Sequence, residues 1–392
     1  MDDDERLSRN VYVVSAVSFF QDTASEILYP ILPFFVVGVL GAPPAVLGAI
    51  EGLADGLASA MKALSGRLAD LRHRRPLVAT GYGVSAGGKA VLALAGGWPL
   101  VLVARATDRV GKGLRGPPRD AIIADETTPA NRGRAFGFHR AADTAGAVVG
   151  PLVGLGLYSL LDHRFRPLLW IAVIPALISV ALVFAIRERP HPHLGNAPPW
   201  KVHGLGRRYW RVIGVIGLFA LVNFPDTLLL LRARDLGFGF ARVVVLYVLY
   251  NLSYASLSYP AGRVSDRLDR RTIFAVGLLL FAFAYLGFGV AGSAGWLWLL
   301  FPVYGGWAAL TDGVSRAWVA DLVPADRRGT ALGIQAAVSG FGMLVAGIWA
   351  GLAWQGTGHW PFVISGAVVA ILAVVVLVLR VGAESASEPG PP

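Results

Sequence analysis

The chain has 392 residues, 55% hydrophobic and only 15% charged, with 48 glycines and a mean hydropathy of +0.58. A soluble globular domain is excluded by that balance; the complete lack of cysteine excludes disulfide frameworks, thiol catalysis and cysteine-based metal sites. The net charge of +10 invites a nucleic-acid reading, but the placement of the basic residues argues against it.

Apolar stretches of about 20 residues, the length of a helix that crosses a hydrocarbon core, recur from end to end. The opening MDDDERLSRN is acidic, and the segment behind it is too long and too polar for a cleavable signal, so it is read as a retained first span. Twelve spans are predicted, at 11–38, 45–70, 76–96, 99–124, 134–160, 167–187, 210–233, 241–264, 271–292, 296–320, 330–354 and 361–381. The fold class is all-α membrane protein. With the N-terminus inside, the inner loops hold most of the basic loop residues, among them Arg72, Arg74, Arg75, Arg132, Arg187, Lys201, Arg267, Arg270, Arg271 and Arg328. The outer loops hold chiefly Arg164, Arg166, Arg234 and Arg242. The asymmetry predicts both termini in the cytoplasm, and a bacterial inner membrane is the expected location.

Span one places Ser15, Ser18, Asp22, Ser25, Glu26 and Tyr29 on one face. On span two Glu51, Asp55 and Lys62 share a face, with Gly48, Gly52 and Gly56 alongside at a spacing that suits close helix packing. Span four contains RATDRVGKGLRGPPRD, where Arg105, Asp108, Arg109, Lys112, Arg115, Arg119 and Asp120 fall within a sector of about 140° at about 100° per residue. Such a face must line protein or water rather than lipid. Across the first half, Asp22, Glu26, Glu51, Asp55, Asp108, Asp120 and Asp143 stand against Lys62, Lys89, Arg105, Arg109, Lys112, Arg115, Arg119 and Arg140. These charges read either as a self-satisfying ion-pair network or as a transport path. Lys89 is read as structural, and His139 as a packing or interface residue rather than a proton relay. On span eight Tyr247, Tyr250, Asn251, Tyr254 and Ser258 share a face; Tyr29, Tyr247, Asn251 and Tyr254 are the substrate-cavity candidates, and Asp226, Asp312 and Arg316 are the main second-half charges.

The chain repeats itself. GRLADLRHRRP and GRVSDRLDRRT both follow GxxxDxxxRR, with Gly66, Asp70, Arg74 and Arg75 in the first and Gly262, Asp266, Arg270 and Arg271 in the second. Asp125 precedes Asp321, like Gly66 and Gly262, by 196 positions, and Asp22–Thr23 precedes Asp226–Thr227 by 204. Two six-helix halves are therefore predicted, 1–187 and 210–392 with its short polar tail, joined by a cytoplasmic linker at 188–209.

Two GxxxDxxxRR loops in a twelve-span repeat resemble the major facilitator superfamily of secondary transporters. The family's fourth-span pattern is similar to Arg105, Gly111, Pro117 and Asp125, and its fifth-span antiporter motif resembles Gly146, Gly150, Pro151 and Gly154, with Leu155 in place of a second glycine. The resemblance implies two pseudo-symmetric bundles rocking about a midplane cavity, with the repeated loops latching one conformational state. It implies a secondary transporter, with proton-coupled efflux of a small molecule as the leading reading. Asp22 and Glu26 are then the proton-carrying carboxylates, with Arg105 and Arg109 setting their protonation. An importer or exchanger of an anionic metabolite, bound by the basic face of span four, is the alternative. A receptor-like role without turnover ranks lower. No catalytic constellation is present, so an enzyme is not expected; neither is a cofactor, a metal or nucleic acid. The expected partners are the substrate, protons and the bilayer, and the expected state is a monomer.

Overall fold

A computed structural model of the chain describes residues 7–71, 73–127, 131–187, 205–265, 268–324, 327–379 and 381. Arg72, Lys201, Asp266, Arg267, the segment 188–204 and the tail from 382 lie outside the described residues, as do the side chains of Asp70 and Arg132.

Every described element is helical. Ser8 caps the first helix, α1 (Arg9–Leu28), by accepting from the amide of Val11. Pro30 and Pro33 then force a change of winding, and the span finishes in a π-helical stretch at Pro33–Val39. There follow α2 (Pro44–Leu71), α3 (Arg74–Ala93), α4 (Trp98–Asp125) and α5 (Arg132–Leu160). Span six is divided into α6 (Phe165–Ile171) and α7 (Val173–Val183). The second half comprises α8 (Arg207–Ala220), α9 (Asp226–Asp235), α10 (Phe240–Ser265), α11 (Arg270–Val290), α12 (Leu297–Asp321), α13 (Arg328–Leu352) and α14 (His359–Val378).

The structure corrects the sequence reading at span seven, which is not one helix over 210–233 but α8 and α9 separated by residues 221–225. Pro225 has no amide hydrogen to donate and disfavours helical geometry at Phe224, so α8 ends and α9 restarts after the proline.

Seven helices among the described residues are both long and apolar enough to cross a membrane, α14 and α11 most clearly. The other spans carry inward polar groups: Glu51 on α2, Lys89 on α3, Arg105 on α4, Arg232 on α9 and Thr311 on α12 are all buried. Around the outside runs a belt of exposed large apolar residues, such as Ile364, Ile371 and Val378 on α14 and Phe283 and Val290 on α11. Only a lipid environment makes such a surface stable.

The packing repeats with the sequence. In the first bundle α3 packs on α4, α2 on α4, α1 on α5 and α3 on α7; the corresponding pairs in the second are α11 with α12, α10 with α12, α8 with α13 and α11 with α14. The halves meet along α2–α13 and α5–α10, two seams that exchange when the halves are interchanged. The first seam needs its glycines. A Cβ at Gly48 would collide with the carbonyl oxygen of Gly347, and one at Gly52 would lie 2.7 Å from Cα of Leu344.

Candidate functional site

One end of the bundle holds Arg9, Asp125, Arg187, Arg207, Arg270 and Asp321, and is called the terminal face; the other is the distal face. On the distal side the halves are closed by aromatic packing. Phe240 of α10 inserts among Phe34, Tyr158 and Phe165 of the first half, at centroid distances of 5.5, 4.5 and 5.5 Å. The guanidinium of Arg234 lies 5.7 Å from the Phe34 ring. Toward the terminal face, by contrast, Lys62, Arg140, Tyr259, Asp312 and Arg316 are exposed. Aromatic packing thus closes the halves distally, and charged side chains are exposed toward the terminal face.

Glu51, Arg105, Tyr247 and Tyr304 each lie seven residues into a helix that starts at the distal face, at Pro44, Trp98, Phe240 and Leu297. They occupy one layer about 10 Å deep at 1.5 Å per residue. In the first half this layer holds an ion-pair network. Arg105 grips the fully buried Glu51 with two hydrogen bonds of 2.6 Å, Nε to Oε1 and Nη2 to Oε2. It also reaches Asp108 at 3.4 Å. Asp108 accepts from Lys89 Nζ at 2.7 Å, and Arg109 faces Glu51 at 3.6 Å and Asp55 at 3.4 Å. Three carboxylates therefore balance three cations, with α4 held between α2 and α3.

Asp22 and Glu26 are not part of it. Among the described residues Arg105 and Arg109 make no ion pair with either carboxylate, although Arg109 lies within electrostatic reach of Glu26. Asp22 is half-buried and makes no ion pair or hydrogen bond among the described residues. Glu26, also half-buried, accepts a 2.7 Å hydrogen bond from the hydroxyl of Tyr247 in the opposite half. Lys112 is half-buried within electrostatic reach of both. What fixes the two carboxylates is α5: a Cβ at Gly146 would lie 2.8 Å from the carbonyl oxygen of Phe19 and 3.1 Å from Cβ of Asp22, and one at Gly150 would lie 2.9 Å from Cβ of Glu26. Pro151 is buried beside them, while Gly154 leaves ordinary contact distance to Ile27.

In the second half Asp226 opens α9 and accepts from Tyr304 at 2.7 Å. Tyr29 stacks on Tyr247 at 5.3 Å, and Tyr250 lies between Tyr247 and Tyr304 at 5.9 and 5.3 Å. Trp307 stacks on Tyr304 at 4.6 Å. Nearer the terminal face Arg140 donates to the Tyr254 hydroxyl, which donates to Asp312, and Arg316 lies 3.3 Å from the same carboxylate. The amide of Asn251 turns back to the carbonyl of Tyr247 in its own helix.

Of the repeated loop motifs, Arg74 pairs with Asp125 and Arg270 pairs with Asp321 at 3.1 Å. Arg75 donates to the carbonyl of Phe184 and Arg271 reaches Asp269 at 2.8 Å. Gly66 faces Pro117, and Gly262 is half-buried near the end of α10. Sequence reasoning did not single out Tyr304, Trp307 or Arg232. The last is buried and donates to the carbonyls of Phe288, Gly289, Ala291 and Thr357, tying α9 to the end of α11. Set beside Arg234 and Asp235 at the end of α9, its charge carried no signal of that role.

A family model described as Major Facilitator Superfamily matches residues 14–247 and 212–392. The chain belongs to the major facilitator superfamily. An uncharacterised MFS-type transporter of Methanocaldococcus jannaschii is 33% identical over 385 residues, 96% of each chain. The multidrug resistance protein MdtH of Cronobacter sakazakii is 26% identical over 333 residues, covering 81% of this chain and 79% of that one. Among solved structures, a peptide transporter POT in complex with alafosfalin aligns with a TM-score of 0.79 over 95% of this chain and 94% of that one at 16% identity. The human organic anion transporter MFSD10 aligns with a TM-score of 0.68 over 96% and 100% at 19% identity. These two likenesses show the fold alone. As a member of this superfamily the protein is a multi-pass integral membrane protein of a transporter family.

Proposed function

We propose that this superfamily member exports a small molecule by alternating access in exchange for protons, from an inner membrane with both termini and the terminal face in the cytoplasm, as a monomer. The observation that carries the reading is Asp22, a half-buried intramembrane carboxylate without ion pair or hydrogen bond among the described residues, in a structure closed by aromatic packing at its distal face. A carboxylate free of a fixed partner can hold a proton in one state and release it in the other, which is what antiport needs. Glu26 is its second carrier, because its Tyr247 partner belongs to the other half and is separated from it when the halves rock. The glycines of the antiporter-like motif hold both carboxylates against α5. The surplus of arginine at the terminal face supports the orientation.

The test is transport by purified protein in sealed vesicles. An imposed pH gradient should drive accumulation of a tracer substrate, and dissipating the gradient with a protonophore should abolish it. Accumulation indifferent to the pH gradient would refute proton coupling. Topology is tested separately: with no native cysteine, Arg207→Cys should label only from the cytoplasm and Arg164→Cys only from outside.

A further inference from the structure

We infer that the substrate is an organic cation, held against the tyrosine wall formed by Tyr29, Tyr247, Tyr250 and Tyr304 between the carboxylates of Glu26 and Asp226. The inference rests on the transport reading and adds the sign and chemistry of the cargo.

The first argument is the charge balance of the layer. The basic face of α4, read alone, suggests an anion site. In the folded chain its two deepest guanidiniums are committed: Arg105 to Glu51 and Asp108, Arg109 to Glu51 and Asp55, and Lys89 closes the set on Asp108. With three acids against three bases, the network presents no net positive charge to an anion. Outside it, at similar depth, stand the half-buried Asp22, Glu26 and Asp226 against the single ammonium of Lys112. Neither Glu26 nor Asp226 has a cation within ion-pair distance among the described residues. Nearer the terminal face Arg119 pairs with Asp120 and Arg316 with Asp312, while Arg115 donates to Ser85 and lies over the Tyr82 ring and Arg140 donates to the Tyr254 hydroxyl. Glu26 and Asp226 are therefore the carboxylates of this layer without a paired cation, and a cation entering between them restores part of the charge balance.

The second argument is the wall between the two carboxylates. The rings of Tyr29, Tyr247, Tyr250 and Tyr304 follow one another at 5.3, 5.9 and 5.3 Å, with interplanar angles of 28°, 36° and 30°. The tyrosine hydroxyls at positions 247 and 304 point to Glu26 and Asp226, each at 2.7 Å. Hydroxyls donated to carboxylates leave the ring faces as the interacting surface. Tyr247 and Tyr304 are buried behind, while Tyr29 and Tyr250 keep part of their surface free. Electron-rich ring faces flanked by carboxylates form the arrangement that attracts alkylammonium and other organic cations, and repels anions. The wall also crosses the boundary between halves, since Tyr29 and Glu26 belong to the first bundle and the other rings to the second. A cargo bound there contacts both moving bodies.

The test uses two probes of equal size and opposite charge, tetraphenylphosphonium and tetraphenylborate, in equilibrium dialysis against the purified full-length chain. Saturable binding of the cation, undisplaced by the borate, is expected. Asp226→Asn and Glu26→Gln should each weaken it about tenfold or more. Tyr250→Leu should weaken it about thirtyfold, and Tyr250→Phe, which keeps the ring, by at most about threefold. Melting temperatures accompany each variant; if Tyr250→Leu does not fold, the same comparison is made at Tyr29. Saturable binding of tetraphenylborate, absence of saturable binding of the cation, or equal losses for the Leu and Phe variants would each overturn the inference. Counterflow in vesicles separates this outcome from the transport reading. Cation binding without counterflow upholds the substrate class and defeats transport, whereas counterflow of an anion or neutral solute alone upholds transport and defeats the substrate class.

Discussion

Arg105 holds Glu51 through a two-pronged contact in which both hydrogen bonds are 2.6 Å and both side chains are buried. Paired guanidinium and carboxylate of this geometry satisfy each other, yet removing one leaves the other charged and dry. Arg105→Gln is expected to destabilise the folded protein by about 3–5 kcal/mol, read as a drop in melting temperature in detergent. The double variant Glu51→Gln with Arg105→Gln removes both charges and should recover more than half of that loss. If Arg105→Gln melts like the wild type while pH-driven transport fails, the contact is part of proton coupling rather than of the fold.

Asp22 predicts the opposite pattern. Because it has no ion pair to break, Asp22→Asn should alter stability by less than about 1 kcal/mol. Accumulation driven by a pH gradient should fall to background, while exchange of substrate across the membrane without a gradient persists. An Asp22→Asn protein that still accumulates substrate against a gradient would remove Asp22 from the coupling path and leave Glu26 as the carrier.

The repeated loops and the charged face of span four were legible in the sequence because each is a matter of spacing along one chain. So was the packing role of Gly48, Gly52 and Gly56, since small residues four apart make a flat stripe on any helix. Helix periodicity assigns a side chain to a face but says nothing of the height at which the neighbouring helix stands. For that reason the pairing of Arg105 with Glu51 and Asp108 was not legible. The break in span seven carried a local signal, Pro225, which the apolar run around it masked. Tyr304 and Trp307 gave none, since an aromatic residue in a membrane helix reads equally well as packing, and only the fold brings Tyr304 beside Tyr250 and Asp226 and stacks Trp307 on it.

Gly150 is where a single carbon should matter. Its missing Cβ would lie 2.7 Å from the carbonyl oxygen of Thr23 and 2.9 Å from Cβ of Glu26, so α1 and α5 can keep their separation only if position 150 is bare. Gly150→Ala should cost about 1–3 kcal/mol of stability by overpacking and lower transport by displacing Glu26. Gly156→Ala on the same helix, where a Cβ meets nothing within 4 Å, serves as the control and should do neither. Equal behaviour of the two variants would mean that the α1–α5 spacing is not what the glycine provides.

Arg74 and Asp125 pair at the terminal face, and 196 residues on Arg270 and Asp321 do the same. Both pairs join the end of a fourth helix in its half to the start of a third, α4 to α3 and α12 to α11, so each holds a helix pair within one bundle. Asp125 and Asp321 are partly exposed, and an exposed pair contributes only about 0–1 kcal/mol to stability. So weak a contact adds little to the fold, whereas a bias of even about 1 kcal/mol between two states changes their ratio about fivefold. Asp125→Asn and Asp321→Asn should therefore leave melting temperatures almost unchanged and alter the rate at which the terminal face opens and closes. Because the chain has no cysteine, two introduced ones near the terminal ends of α3 and α11 carry a unique fluorophore pair, and single-molecule energy transfer between them reads the exchange directly. The related substitutions Asp70→Asn and Asp266→Asn, in the two repeated motifs that carry Arg74 and Arg270, should slow that exchange more than they weaken substrate binding. Unchanged exchange with reduced equilibrium binding in these four variants would exclude a latch and assign the repeated charges to cargo recognition.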